Sequence, residues 1–284
     1  MSAAWDSADH PALDDIGPLG WALALIRGLV LATVVFTGLL VLLAIRLIER
    51  PLCGQGRPVT PYITQTVCYI AFWIMGLRRE VVGTPMRHRG AVVANHTSWL
   101  DIFSLNAAQR IYFVSKSEVA SWPGIGWLAK ATGTLFIERS PKHARKQTEI
   151  FQRRLLDNHR LLFFPEGTST DGKQVLPFKT TLFQSFFTPE LRDAIWVQPV
   201  TVLYTAPVGA DPRFYGWWGD MSFGGHLVRT LASARQGKVT TIYHTPLAVA
   251  DFDNRKTLAQ ACETQVRSAH PSEQIAAPNT AELR

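Results

Sequence analysis

The sequence predicts an α/β domain, with a mixed sheet flanked by helices, preceded by an N-terminal membrane-anchoring helical segment. Three observations favour this: an 18-residue run without charge near the N-terminus, short apolar runs that alternate with helical stretches after residue 79, and 47% apolar residues. Such a composition can bury a core and excludes a disordered chain. The predicted divisions are an acidic tail (1–26), membrane-anchoring helices (27–79), the α/β domain (80–269) and a flexible C-terminal tail (270–284).

The uncharged run extends from Gly28 to Ile45 between Arg27 and Arg46. As a helix it would be about 27 Å long, close to the thickness of the hydrocarbon core of a bilayer. A buried core helix is one alternative, and a cleavable signal peptide is another, although the acidic flank before the run disfavours it. Residues 1–26 contain four aspartates and no lysine or arginine, whereas the other 258 residues have a net charge of +11.

Arginine residues follow the anchor at positions 46, 50, 57, 78 and 79, and only Arg27 lies before or within it. By the positive-inside rule, we expect an inner-membrane protein with its α/β domain facing the cytoplasm. A second apolar stretch, Tyr62 to Leu77, has 16 residues and includes polar ones. It is short for a span, and we expect an interfacial or re-entrant helix.

Six short apolar runs in the body are strand candidates: Gly90–Ala94, Ile111–Val114, Thr134–Ile137, Leu161–Phe164, Trp196–Val202 and Val239–Tyr243. Between the third and fourth, Ser140 followed by Pro141 predicts the start of a helix. This helix carries five lysines and arginines, which form either a solvated face or a face near anionic lipid.

The charges and cysteines exclude several classes of protein. Three scattered cysteines, with no CxxC or Cys/His metal spacing, are typical of reduced thiols and predict neither a disulfide scaffold nor a metal site. The net charge of +7 would permit a nucleic-acid partner. No nucleic-acid-binding module accompanies the charge, and the membrane segment argues against such a partner.

His96 and Asp101 form the most informative pair of polar residues. His96 follows the strand Gly90–Ala94, and Asp101 comes five residues later at the start of a predicted helix. A carboxylate placed there can hold one imidazole nitrogen as N–H and leave the other as a general base. The spacing alone is weak evidence, since it recurs at His10 and Asp15, where no strand precedes it. For His96 alone, a capping or core histidine is the alternative.

Four sequence segments, one of which contains His96 and Asp101, support a catalytic interpretation of the pair. The segments NHTSWLD (95–101), GTLFIER (133–139), FPEGT (164–168) and VQPV (197–200) resemble, in order and spacing, the four blocks of the glycerolipid acyltransferases. The similarity covers roughly residues 70–205 and is nearest to bacterial 1-acyl-glycerol-3-phosphate (lysophosphatidic acid) acyltransferases.

This resemblance implies an enzyme of phospholipid biosynthesis that moves a fatty acyl group from an acyl-CoA or acyl carrier protein thioester to the free hydroxyl of a lysolipid. The acceptor would be 1-acyl-glycerol-3-phosphate and the product phosphatidic acid. His96 would be the general base and Asp101 would orient it. The resemblance implies no metal and no cofactor beyond the thioester co-substrate. Backbone N–H groups near the pair are the expected oxyanion donors.

The same resemblance suggests a headgroup site at Lys116, Arg139, Glu166, Gly167, Thr168 and Lys179. The turn that begins at Glu166 follows a strand, so its amides could face an anion. Arg139 could pair with phosphate. The alternatives are a turn-stabilising hydrogen bond for Glu166, a surface ion pair for Arg139 and simple solvation for Lys179.

One position departs from the lysophosphatidic acid pattern. Ser169 stands where those enzymes commonly have arginine, and Asp171 lies nearby. Losing a cation and adding a carboxylate weakens the case for a phosphate headgroup. The variant is similar to relatives that acylate other lysolipids, including lyso-ornithine lipid. Two other classes are a membrane-anchored thioesterase or lipid hydrolase, for which no Gly-x-Ser-x-Gly elbow exists, and a non-catalytic membrane adaptor, which the ordered blocks do not fit.

Overall fold

The computed structural model describes residues 5–6, 16–138 and 141–271. The strands are β1 (Arg78–Val82), β2 (Gly90–Ala94), β3 (Tyr112–Lys116), β4 (Leu135–Ile137), β5 (Leu161–Phe163), β6 (Trp196–Thr205), β7 (Lys238–Tyr243) and β8 (Leu247–Ala248). The helices are α1 (Pro18–Cys53), α2 (Thr60–Met75), α3 (Leu100–Ala108), α4 (Ile125–Thr132), α5 (Pro141–Leu156), α6 (Phe223–Ala232) and α7 (Arg255–Ser268).

The strands form one mixed sheet in the order β1-β7-β6-β2-β5-β3-β4, with β8 paired to β6. The five strands from β6 to β4 are parallel, and β7 is antiparallel to β6. The carboxyl ends of the parallel strands therefore meet at one edge of the sheet. The segments after β2, β4 and β5, which carry the predicted site residues, all begin at this edge, and we call it the catalytic edge.

The sheet is covered on both faces, which explains why its central strands read as unbroken apolar runs. All five residues of β2 are buried. Val92 and Ala94 face a core shared with α2, α3 and α6, whereas Ala91 and Val93 face a second core shared with α5 and α7. The predicted mixed sheet flanked by helices is confirmed.

Helix α1 is apolar, long and largely uncovered. It has 36 residues, and its most apolar 18-residue window is 11% buried. Within the described part of the chain it is the one helix long and apolar enough to cross a membrane. Exposed side chains include Leu25, Leu29 and Leu40, each more than 60% exposed.

Both ends of α1 are tied to the α/β domain. The Arg27 guanidinium donates hydrogen bonds to the carbonyl oxygens of Leu231 and Ser233, at the end of α6. Arg57, just past the other end of α1, donates to the carbonyl of Ala131 in α4. The carbonyls at a helix C-terminus attract cations, so these bonds stabilise the charged Arg27 guanidinium. The helix thus lies along the domain.

The structure extends the predicted elements at several points. The first nine residues of α1 fall in the segment assigned to the acidic tail, and β1 and β8 were not predicted because each is short or polar. The second apolar stretch forms α2, as expected. The predicted cap Ser140 and residues 272–284 of the C-terminal tail lie outside the described residues. His270, the first residue of that tail, is buried.

Candidate active site

His96 and Asp101 meet at the catalytic edge as the sequence predicts. The His96 Nδ1 atom lies 2.8 Å from Asp101 Oδ2, the aspartate is fully buried, and the imidazole is 19% exposed. Because a carboxylate accepts hydrogen bonds, the geometry assigns the proton to Nδ1 and leaves Nε2 as the basic atom. The ring is stacked on Phe164 with 3.9 Å between centroids, which fixes its plane.

Asp101 is held by four donors. Its Oδ2 atom accepts the His96 Nδ1–H together with the backbone N–H groups of Thr97 and Ser98, at 2.8 and 3.0 Å. Its Oδ1 atom accepts the hydroxyl of Tyr204 at 2.7 Å. Asp101 also lies in the first turn of α3, where the helix dipole stabilises a negative charge. These donors hold the carboxylate in one orientation.

Tyr204 is the site residue that the sequence prediction missed. The strand was predicted to end at Val202, whereas β6 continues to Thr205. Desolvation and the neighbouring Asp101 carboxylate raise the pKa of Tyr204 well above its usual value, so its hydroxyl stays a proton donor. The alternation of side chains along a strand could have identified Tyr204 from the sequence. It lies two residues beyond Val202 and therefore on the same side of the sheet.

Glu166 is buried and faces the chain rather than solvent. Its Oε1 atom accepts the backbone N–H of His96 at 2.6 Å, and Oε2 accepts that of Leu176 at 2.7 Å. Burial raises the pKa of Glu166 to about 8 despite these two bonds. The structure therefore favours the turn-stabilising role over headgroup contact, since both oxygens are engaged in positioning the catalytic loop.

The other predicted headgroup residues that the structure describes lie at strand ends or in loops at the catalytic edge. Gly167 takes a left-handed φ of 73° and closes the turn after β5. Thr168 is half-buried beside it, whereas Lys116 and Lys179 are exposed, at the end of β3 and in the loop before residue 182. Arg139 lies outside the described residues.

Two loops clamp the backbone of the catalytic segment. Thr170 N donates to the carbonyl of His96, and Trp217 N donates to that of Thr97, both at 2.9 Å. The Cβ of any other residue at position 172 would press on the Thr97 side chain, so Gly172 allows this close approach. The variant block that begins at Ser169 and the aromatic stretch around Trp217 are thus both walls of the site.

The buried pair Trp99 and His226 joins the catalytic segment to α6. Trp99 Nε1–H donates to His226 Nδ1 at 2.9 Å, which ties the segment to α6. Burial, and then the nearby Arg229, lower the pKa of His226 to about 4, so this imidazole is neutral and can accept the bond. His226 therefore serves as a neutral acceptor for Trp99.

The backbone amides expected to bind an oxyanion are already engaged. The N–H of His96 donates to Glu166, and those of Thr97 and Ser98 donate to Asp101. These three N–H groups are therefore not available to stabilise an oxyanion. Their bonds shape the loop and fix the carboxylate instead.

Comparisons with known proteins agree with this geometry. A family model described as Acyltransferase matches residues 78–203. The chain is 61% identical over 243 residues to a lyso-ornithine lipid O-acyltransferase of Rhodobacter capsulatus, which covers 86% of this chain and 88% of the relative. It is 40% identical over 98 residues to a 1-acyl-sn-glycerol-3-phosphate acyltransferase of Neisseria gonorrhoeae, covering 33% of this chain and 37% of that one.

Among solved structures, the fold is similar to the crystal structure of the 1-acyl-sn-glycerophosphate acyltransferase from Thermotoga maritima. The TM-score is 0.58 with 21% sequence identity, and the match covers 89% of this chain and 98% of that one. The fold, the dyad and the matched family model agree with one another, and the chain belongs to the acyltransferase family.

Proposed function

We propose that this acyltransferase completes a lyso-ornithine lipid, by moving a fatty acyl group from an acyl-CoA or acyl carrier protein thioester to the free hydroxyl of that acceptor. The supporting observation is the 61% identity to a relative whose name gives this acceptor, across nearly its full length. Ser169, in place of the arginine of the phosphatidic acid enzymes, supports it from within the site. Phosphatidic acid synthesis is the second candidate, because shorter matches carry that name.

In the proposed reaction, His96 Nε2 removes the proton of the acceptor hydroxyl while its oxygen attacks the thioester carbonyl carbon. The tetrahedral intermediate collapses, the C–S bond breaks, and the imidazolium returns the proton to the leaving thiolate. The products are an ester and a free thiol. Asp101 stabilises the imidazolium, and a positioned base of this kind contributes on the order of 10²–10⁴-fold to the rate. We assign no step to a metal or a resident cofactor.

We propose that the acceptor headgroup lies against the wall formed by Gly167, Thr168 and Ser169, with Lys116 and Lys179 as outer contacts. These residues follow strands that end at the catalytic edge or lie in the adjoining loop. Asp171 adds a carboxylate beside the catalytic segment, since its neighbours Thr170 and Gly172 touch that segment. An acceptor headgroup with an ammonium group suits this wall better than phosphate alone.

We propose that α1 and α2 hold the enzyme at the cytoplasmic face of the inner membrane. At about 1.5 Å per residue, a 36-residue helix measures about 54 Å, well beyond a bilayer core of about 30 Å. Together with the contacts of both its ends to the domain, this favours a helix embedded along one leaflet. The net charge of +11 after residue 26 suits the anionic cytoplasmic surface.

An acceptor panel tests the proposed function. Purified enzyme is mixed with one labelled acyl thioester and either lyso-ornithine lipid, 1-acyl-glycerol-3-phosphate or no acceptor. We expect kcat/KM to be highest with lyso-ornithine lipid, and His96→Ala to lower it by about 10³-fold, within the range for a lost general base. Ser169→Arg should move the preference toward the phosphate-bearing acceptor.

Two results would contradict the proposal. Preference of the wild-type enzyme for 1-acyl-glycerol-3-phosphate would establish the second candidate instead. Label released only as free fatty acid, whichever acceptor is added, would identify a thioesterase.

A further inference from the structure

A basic cavity lies at the catalytic edge on the far side of β6 from the dyad. Its volume is about 510 Å³; it is open to solvent on one side and bordered by the end of α2, the loop after β6 and the loop before β7. Arg78, Arg235 and Lys238 contribute three cationic side chains, Thr205 and Gln236 are polar, and among the described residues no acidic one lines it. None of these five residues belongs to the four motif segments or to the dyad.

The charge of the cavity is only partly neutralised. Lys238 Nζ forms a salt bridge with Glu80 at 2.7 Å, with both side chains about half exposed. In the described part of the chain, no salt bridge joins Arg78 or Arg235 to a carboxylate, and both are exposed. Like charges gathered around one concave surface focus a positive potential that attracts an anion.

The wall of the cavity is rigid. Gln236 Oε1 accepts the hydroxyl of Tyr215, and its Nε2 donates to the carbonyl oxygens of Thr230 and Ser233. The Tyr215 hydroxyl also accepts the backbone N–H of Gly237. A preformed wall lowers the conformational cost of binding, because the loop that carries Arg235 is already ordered.

The cavity borders the apolar surface of the anchor. Gly76, one of its lining residues, ends α2 one turn after Trp73, which is 81% exposed. Val208, another lining residue, is 96% exposed. Tryptophan is typical of the headgroup level of a bilayer, so a cavity just beyond Trp73 would lie at the level of the lipid phosphates.

We propose that this cavity binds the phosphate of an anionic phospholipid of the surrounding bilayer, separately from the acceptor at His96. Arg78 and Arg235 are the two cations that the phosphate engages, and Lys238 contributes the third charge. The inference depends on the proposed membrane association of α1 and α2, and not on which lysolipid is acylated. Bound there, the lipid holds the catalytic edge toward the membrane surface.

The test measures binding of the purified full-length protein to vesicles without either substrate. One set of vesicles is phosphatidylcholine alone, and the other contains a fixed fraction of phosphatidylglycerol. We expect tighter binding to the anionic set, with the difference lost at high salt. Each cation near an anionic surface contributes about fivefold in affinity, so Arg78→Ala with Arg235→Ala should weaken anionic binding on the order of twentyfold.

A matched control removes two cations elsewhere. Arg192 and Lys256 are exposed near the opposite edge of the sheet, where β6 begins and α7 starts. The control variant Arg192→Ala with Lys256→Ala should keep the preference for anionic vesicles, and both double variants should bind phosphatidylcholine vesicles as the wild type does. The latter result shows that the anchor is intact.

Three results would overturn the proposal. They are equal losses in the two double variants, an unchanged preference in Arg78→Ala with Arg235→Ala, and no vesicle binding by the wild type. If Arg78→Ala with Arg235→Ala raised the KM for acyl-CoA and left vesicle binding unchanged, the cavity would be assigned to the phosphates of the acyl donor instead. Because no acyl transfer is measured in the vesicle assay, its failure is distinguishable from failure of the proposed acceptor.

Discussion

Asp101 accepts hydrogen bonds from three groups besides the His96 ring. Two backbone amides and the Tyr204 hydroxyl share it with His96. Each donor draws negative charge from the carboxylate, and this tunes how strongly it holds the imidazolium. Tyr204 is therefore a positioning residue that acts on His96 through Asp101.

Tyr204→Phe tests this role. Without the Tyr204 hydroxyl, the Asp101 carboxylate and the His96 ring are less well positioned, so we expect kcat to fall about ten- to hundredfold while KM for the acceptor changes little. A carboxylate that has lost a donor holds the imidazolium more strongly, so the acidic limb of the pH profile of kcat/KM should move to higher pH.

Tyr215→Phe is the matched control for that experiment. Its ring packs on Tyr204 at 5.6 Å between centroids, but its hydroxyl bonds to Gln236 and Gly237 and not to Asp101. Its pH profile should keep the wild-type acidic limb. The same displacement in both variants would show that a general change in packing, rather than the Tyr204 hydroxyl, is responsible.

Individual residues differ in how well the sequence revealed them. His96 and Asp101 are close in the chain, and a strand end followed by a helix start is a local pattern, so their pairing was predicted. Tyr204 is 103 residues from Asp101, and only the parallel pairing of β2 with β6 brings the two together. Glu166 was found by its motif, yet its burial depends on the packing of the loop as far as Leu176.

At the scale of elements, the loop after β5 supports the loop after β2 through Glu166. The group has a pKa of about 8 in the folded chain against an ordinary value of 4.5. A raised carboxyl pKa means that the folded state favours the neutral form. The stabilisation is therefore complete below pH 4.5 and is lost as the pH rises through about 8.

Glu166→Gln should remove this pH dependence, because the amide does not ionise. We expect the free energy of unfolding of the wild type, measured with urea, to fall relative to that of the variant between pH 5 and 8. Parallel curves for the two proteins over this range would show that Glu166 is ionised throughout. Alanine at the same position is the harsher variant, since it leaves the amides of His96 and Leu176 without an acceptor.

Elements whose signal is local were predicted well. The six predicted strands all occur, within a few residues, because apolar runs between turns need little tertiary context. Strand β1 has the sequence RREVV and is largely exposed, so only its pairing with β7 makes it a strand. The position of α1 was not predicted, because it depends on the hydrogen bonds from Arg27 to Leu231 and Ser233. These partners are more than 200 positions away in the sequence.

At the scale of the whole molecule, the exposed apolar surface of α1 predicts tight membrane association. Fully burying one leucine is worth about 1.5–3 kcal/mol, so Leu29→Glu with Leu40→Glu should shift the protein substantially toward the soluble fraction. Both side chains are 67% exposed, so the fold should survive. The distribution between membrane and soluble fractions after a high-salt wash is the measurement.

Gln260→Glu, an exposed change on α7, is the control for that experiment and should leave the protein in the membrane fraction. Release of the wild type by high salt alone would contradict apolar anchoring. It would leave the basic surface as the main attachment.

Helix α2, which we propose as part of the membrane anchor, is also part of the core of the enzyme. Its residues Ala71, Phe72 and Met75 are almost wholly buried, in the same core as Val92 of β2 and Leu100 of α3. Because α2 also fills the core, it cannot be removed or replaced by another membrane helix. A chain shortened to the α/β domain would expose that core, and a foreign membrane helix in place of α1 and α2 would not cover it. Any solubilised form of this enzyme must therefore keep α2 and change only the lipid-facing side chains.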